Sequence, residues 1–378
     1  MARVTGGAAC GLRAMACGLV AGIALAAMAS PQARACTTFC LLSEDRIVLG
    51  KNYDWYIAAG LLFVNKRGLE RSSDPPRDRG KTWVSRYGSV TFNQYGRDLP
   101  AGGMNEAGLV VEVLWMNGSV FPQPDHRPAA TASAWVMYQL DTARTVDEVI
   151  ASDAEVRISR TAVPVHYFVA DRTGDAAVIE FRNGERMVYR GATLPAAALA
   201  NDFYADSLVR SAETGRAGQP GDRFARAGRS LRDYAPATSG DPVAYAFTTL
   251  AEVAQKSLQG SSSAAVGFGP QHVTVWSIVY EIDAGRVHFR TERAPAIKTL
   301  TFADLDFSCA QPALMLNLDE PSGGDAKARL QPYAREANLA LIRESFAQTG
   351  FLRGLPESEL QRVASWPEKG ACVAPVVR

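Results

Sequence analysis

Histidine is scarce in this chain, with four in 378 residues. None of the four stands in a motif with an acidic partner, so a histidine general base has no support in the sequence. No metal-ligand spacing of Cys, His and acidic residues is visible, and nothing calls for a cofactor. Forty Lys and Arg against 39 Asp and Glu leave a formal charge of +1. No basic patch stands out, which excludes nucleic acid as a partner. Internal repeats are absent, and so is the strand–helix–strand alternation of a parallel sheet. Beyond the first thirty residues no apolar stretch is long enough to span a membrane.

The first thirty residues are different. Arg3 and Arg13 precede or border AMACGLVAGIALAAMAS (14–30), which is almost wholly apolar or small. Pro31 breaks the run, and Ala33 and Ala35 are small residues at −3 and −1 of a cleavage site. Residues 1–35 therefore read as a signal peptide, and the mature protein is expected in the periplasm or outside the cell. Cleavage removes Arg3, Arg13 and Arg34 and no acid, so the formal charge moves to 1 − 3 = −2. The mature chain would then start at Cys36. A competing route, lipidation of Cys36, would make an anchored envelope protein with a binding or structural role. That route wants a branched aliphatic residue and a small residue where Ala33 and Arg34 stand.

Cys10 and Cys17 leave with the signal; Cys36, Cys40, Cys309 and Cys372 stay. An oxidising compartment permits a disulfide between Cys309 and Cys372, which would staple the C-terminal tail. Cys40 is expected to be a buried small hydrophobe.

CTTFCLL (36–42) and RIVLGKN (46–52) flank a polar turn and read as a β-hairpin. A hairpin joins its open ends, so Cys36 and Asp54 should lie close together. LLFVNKR (61–67) reads as a strand, the Pro-rich stretch 69–82 as a loop, and WVSRYGSVTF (83–92) as an alternating strand. GLVVEVLWM (108–116) fits a buried strand, with GGMNEA before it as a turn and 117–130 after it as a loop. Residues 131–153 read as a helix in two pieces, the second capped by Thr145 with Glu148 three residues on. Hairpins are expected over 165–184 and 273–292, and helices over 222–235, 241–255 and 333–347. Strands in hairpins with helices between them make an α+β chain with antiparallel sheets.

An exposed N-terminal cysteine carries its own chemistry. A thiol attacks as the thiolate, so its proton needs an acceptor. A free α-amine has an unperturbed pKa of about 8 and is partly neutral at working pH. Nucleophile and base then sit on one residue, and no distant histidine is required.

CTTFCLLSEDRIVLGKNYDW (36–55) resembles the start of the choloylglycine hydrolase and penicillin V acylase family, N-terminal-nucleophile hydrolases of linear amides. GMNEAGL (103–109), ADRTGDAAVIE (170–180), LAND (199–202), Asp222-Arg223-Phe224 and the hairpin at 273–291 follow in the family's order. The resemblance implies a four-layer αββα sandwich over 36–305, with 306–378 as an extension packing on it. It implies an acyl-enzyme on Cys36, a small N-acyl amide substrate, no cofactor or metal, and allows a homo-oligomer. Carried over by position, Asp54 orients the Cys36 amine and Asn201 forms an oxyanion hole with a backbone N–H near Trp115. Arg223 sits near the thiol. Lys51 stands where most members carry Arg, keeping the charge beside the thiol but losing the planar fork. Trp55 and Trp115 are expected to line an apolar pocket for an aromatic or fatty acyl group. The substrates implied are penicillin V, acyl-homoserine lactones or bile-salt-like amides.

Overall fold

The computed structural model describes residues 36–42, 46–73, 78–160, 162–212, 220–256 and 272–373. The signal-peptide reading of 1–35 lies outside the described residues.

The opening hairpin forms as expected. Thr37–Leu42 pairs antiparallel with Ile47–Trp55, with Thr38 opposite Lys51 and Thr37 opposite Asn52. On its other side Ile47–Trp55 pairs with Val273–Glu281, the first strand of the late hairpin, whose second strand is Arg286–Thr291. Lys298–Thr301 continues this sheet beyond the hairpin, and Ala198–Leu199 closes the opposite edge against Thr37–Leu42. The second sheet runs through Glu185–Arg190, Ala176–Arg182, Val165–Ala170, Val110–Trp115, Pro100–Asn105, Ser89–Asn93, Leu61–Asn65 and Leu314–Asn317.

Side-chain alternation explains why two sheets and two helical layers stack. Val110, Leu114 and Phe168 join Leu49, Ile278 and Tyr280 of the first sheet in one core. Val111, Tyr167 and Val169 point the other way and pack with Trp135, Val136 and Leu140 of the Ala132–Thr142 helix. On the far side, Phe224 and Ala227 of Pro220–Asp233 and Phe247 and Leu250 of Pro242–Val253 cover the first sheet. The result is the αββα sandwich. Strands buried on both faces read as unbroken apolar runs, which is the pattern of 108–116.

Two expectations need correcting. GGMNEA is not a turn as a whole, because Pro100–Asn105 is a strand and the chain turns only after it. Its glycines serve close packing: a Cβ on Gly102 would lie 2.2 Å from Glu112 Oε2, and one on Gly103 would lie 2.4 Å from the Val90 carbonyl oxygen. The stretch 69–82 is not all loop either. Glu70–Ser72 pairs with Thr82–Val84 in a short ribbon, which leaves Ser89–Asn93 as a separate strand of the 83–92 segment.

The two-piece helix is present as Ala132–Thr142 and Val146–Ala151, with Thr145 Oγ1 accepting from the Glu148 N–H at 3.2 Å. Residues beyond 305 add strands to both sheets: Leu314–Asn317 pairs with Leu61–Asn65, and Gly324–Asp325 runs parallel to Lys298–Thr301. Cys309 and Cys372 form a disulfide, and Cys40 is a buried free thiol.

Candidate active site

Cys36 lies at the start of the first strand and is 3 % exposed. Alternation along the hairpin sends Lys51 and Tyr53 toward the second sheet, where Lys51 meets Val113 and Tyr53 meets Gln94. Asn52 and Asp54 point toward the helices, where Asn52 Nδ2 donates to the Leu250 carbonyl at 2.8 Å. The hairpin thus presents Cys36 between a cation on one face and a carboxylate on the other.

Asp54 is fully buried and both its oxygens are engaged. Arg223 Nη1 donates to Oδ2 at 3.0 Å, and the Thr274 hydroxyl donates to Oδ1 at 2.5 Å. A carboxylate oxygen accepts more than one hydrogen bond, so capacity for an α-amine on Cys36 remains. Arg223 Nη2 donates to Asn201 Oδ1 at 3.0 Å, and Asn201 Nδ2 donates to the Trp115 carbonyl at 2.6 Å. It is therefore the carbonyl of Trp115 that meets Asn201, and the second N–H of Asn201 stays available. Trp115 and Trp55 stand with ring centroids 5.9 Å apart. Cys36, Asp54, Arg223, Asn201 and Trp115 are joined in one chain of contacts.

Electrostatics around the thiol oppose one another. Burial pushes the Cys36 pKa up, more than Lys51 and Arg223 pull it down, while the Asp54 charge raises it and a backbone hydrogen bond from Asp54 lowers it. A buried thiol of this kind stays protonated unless a nearby base takes its proton. Burial also raises the Asp54 carboxyl, opposed by Arg223, Thr274, Lys51 and His272. The helix of Arg223 separates its arginines cleanly. Arg223 is buried, Arg226 pairs with Asp222 at 3.1 Å, and Arg229 and Arg232 are exposed.

Several contacts had no counterpart in the sequence reading. Lys51 Nζ donates to the Val113 carbonyl at 2.7 Å and sits 3.2 Å from Glu112 Oε2, in a pair buried on both sides. The Tyr280 hydroxyl donates to Glu112 Oε1 at 2.6 Å. A single acid inside the run VVEVLW was the available signal, since a charge in a two-sided buried strand must be paired. Thr274, Gln255 and His272 also went unread. In the amide orientation that satisfies both of its ends, Gln255 accepts from Arg223 and donates to the His272 carbonyl at 3.1 Å. His272 stacks on Trp55 with centroids 4.9 Å apart. A cavity of about 700 Å³ lined by Cys40, Leu42, Arg46, Tyr234 and Pro242 lies at the turn end of the hairpin, away from Cys36. Chemistry rather than volume locates the candidate site. Among the described residues no group of three or more His, Cys, Asp or Glu could hold a metal ion.

The fold is a sandwich of antiparallel sheets between helices, with a cysteine at the head of the first strand. Residues 36–206 match the family model described as linear amide C–N hydrolases, choloylglycine hydrolase family. It is 28% identical over 175 residues to a penicillin V acylase from Pectobacterium atrosepticum, a match covering 41% of this chain and 46% of that protein. The chain thus spans about half the length of the curated relative it matches. The solved penicillin V acylase of Agrobacterium tumefaciens superposes with a TM-score of 0.67 at 24% identity, covering 79% of this chain and 98% of that one. A mutant conjugated bile acid hydrolase from Clostridium perfringens gives 0.59 at 14% identity, over 79% and 96% of the two chains. These two likenesses establish the shared fold.

Proposed function

We propose that the protein is an exported hydrolase that cleaves a linear N-acyl amide through an acyl-enzyme on Cys36. Penicillin V, acyl-homoserine lactones and bile-salt-like amides are the substrate classes to which the reading extends. The observation that carries it is the buried chain of contacts from Asp54 through Arg223 and Asn201 to Trp115, with Cys36 hydrogen-bonded to the Asp54 backbone. Removal of residues 1–35 leaves Cys36 with a free α-amine. The thiol gives its proton to this amine and attacks the acyl carbon. The oxyanion that forms is met by the free N–H of Asn201, and Asp54 holds the ammonium. The ammonium then protonates the leaving nitrogen, and water hydrolyses the thioester with the amine again as base. Trp55 and Trp115 supply flat apolar walls for the acyl group.

The backbone of Cys36 supports processing before it. Its φ is +48°, a left-handed conformation that non-glycine residues rarely adopt. Cleavage removes the peptide bond that defines this angle. Among the described residues no helix is long and apolar enough to cross a membrane.

The test is the purified mature protein assayed on penicillin V, a glycine-conjugated bile acid and an acyl-homoserine lactone, with its N-terminus read by mass spectrometry. A free Cys36 amine and turnover of at least one amide are expected. Cys36→Ser should lose on the order of a hundredfold or more in kcat. Full activity in that variant, or a diacylglyceryl group on Cys36, refutes the reading.

A further inference from the structure

We propose that Glu112 is a positioning residue for the nucleophile: it is the counter-ion that keeps Lys51 charged beside Cys36. Three observations on the inter-sheet face converge. Lys51 stands opposite Thr38, two residues along from Cys36, and its charge is the largest influence favouring the thiolate against burial. Lys51 reaches the second sheet, where Glu112 Oε2 lies 3.2 Å and the Val113 carbonyl 2.7 Å from Nζ. Glu112 itself is held for this contact. Its cross-strand neighbour is Gly102, and the carboxylate folds over that bare backbone, occupying the space a Cβ would fill at 2.2 Å. The Tyr280 hydroxyl fixes the other oxygen at 2.6 Å.

The chemistry of lysine makes such a partner necessary. A guanidinium stays charged wherever it is placed, whereas a buried ammonium without a counter-ion gives up its proton. The Val113 carbonyl binds a neutral amine as well as a charged one and cannot hold the charge alone. The groups facing Cys36 are Lys51, Tyr53 and Asp54 on the hairpin and Arg223 from the helix layer. Those facing Glu112 are Lys51 and Tyr280 from the first sheet, with Tyr53 nearby. Of these, Lys51 is the one that meets a carboxylate across the sheet interface.

This inference rests on the reading of Cys36 as nucleophile, but its test does not depend on turnover. The rate of Cys36 alkylation by iodoacetamide is followed against pH, resolved by peptide mass spectrometry in the purified protein, for the parent, Glu112→Gln, Lys51→Arg and the double variant. Loss of the Lys51 charge moves the thiol midpoint up. Alkylation of Glu112→Gln below that midpoint is expected to fall roughly tenfold, one unit of pKa. In the Lys51→Arg background the same Glu112→Gln change should alter the rate by less than about twofold, because the guanidinium keeps its charge. Equal losses in the two backgrounds would show that Glu112 acts through packing, and no loss in the lysine background would show that Lys51 needs no partner; either overturns the proposal. Should Glu112→Gln not fold, Tyr280→Phe keeps the ring and removes the hydroxyl that holds the carboxylate. It should shift the profile in the same direction by less, and an unmoved profile counts against the proposal. A Cys36→Ser enzyme with full turnover would refute the function while leaving this titration intact.

Discussion

At the scale of single residues, the candidate site depends on charges that cannot be removed one at a time. Asp54 and Arg223 are both buried and 3.0 Å apart. Asp54→Asn leaves the guanidinium buried beside a neutral amide, and breaking a buried pair in this way costs about 3–5 kcal/mol. Urea unfolding should show a midpoint lowered accordingly, and an unchanged midpoint would mean that Asn201 and Gln255 satisfy Arg223 alone. Cys40 offers a case with a definite pH window. Burial, with the Asp171 charge behind it, raises its thiol from 9.0 to about 12. Above pH 9 the unfolded chain releases this proton while the folded chain keeps it, so stability is intact below 9 and falls as pH rises toward 12. The loss amounts to about 4 kcal/mol. Cys40→Ala should be less stable than the parent at pH 7 and lose that share of the alkaline decline. Parallel pH–stability curves for the two proteins would contradict the assignment.

At the scale of elements, the hairpin and the glycine strand beside it set the geometry. The turn residues and β-branched strands of 36–52 were legible because a hairpin is a local structure, and its register delivered the closeness of Cys36 and Asp54. Pro100–Asn105 was illegible for the opposite reason. Two consecutive glycines signal a turn by local propensity, yet here they make room for the Glu112 carboxylate and the Val90 carbonyl from neighbouring strands. Gly102→Ala tests this. The new methyl must displace the carboxylate from Lys51, so stability should fall by about 2 kcal/mol and Cys36 alkylation should slow as in Glu112→Gln. A variant with parental stability and thiol reactivity would show that the glycine is a turn remnant. The arginines of 222–235 divide by the same logic: the helical period was visible, but which arginine faces inward depended on where the first sheet lies.

At the scale of the whole molecule, the C-terminal residues are tied to both sheets and to the site. The Cys309–Cys372 disulfide closes a loop of sequence separation 63 beside Gly68, where Cys372 bridges Leu69. From the helix Arg335–Gln348, Leu341 packs on Leu61, Phe63 and Met315. At the end of that helix the Thr349 hydroxyl lies 3.1 Å from that of Tyr95, which accepts from Trp55 Nε1 at 3.0 Å. The tail therefore reaches a tryptophan of the proposed acyl pocket through one intermediary. Reducing the disulfide should lower the stability of the folded protein by about 4 kcal/mol, the chain-entropy cost of reopening a loop of this length. Urea curves with and without reductant measure it, and superimposed curves would show that the sheet contacts alone hold the tail.

Local information was enough for the class of the chain: hairpins, capped helices, and a cysteine placed after an export-like segment. The ordered motifs brought Asp54, Asn201 and Arg223 into view before any coordinates. What the tertiary structure alone decided is who faces whom across the sheets. Lys51 could be seen as a charge beside the nucleophile, but its pairing with Glu112 joins residues 61 positions apart on different sheets. No periodicity encodes such a contact, because it arises from how two twisted sheets stack and from the bare backbone of Gly102 beneath the carboxylate.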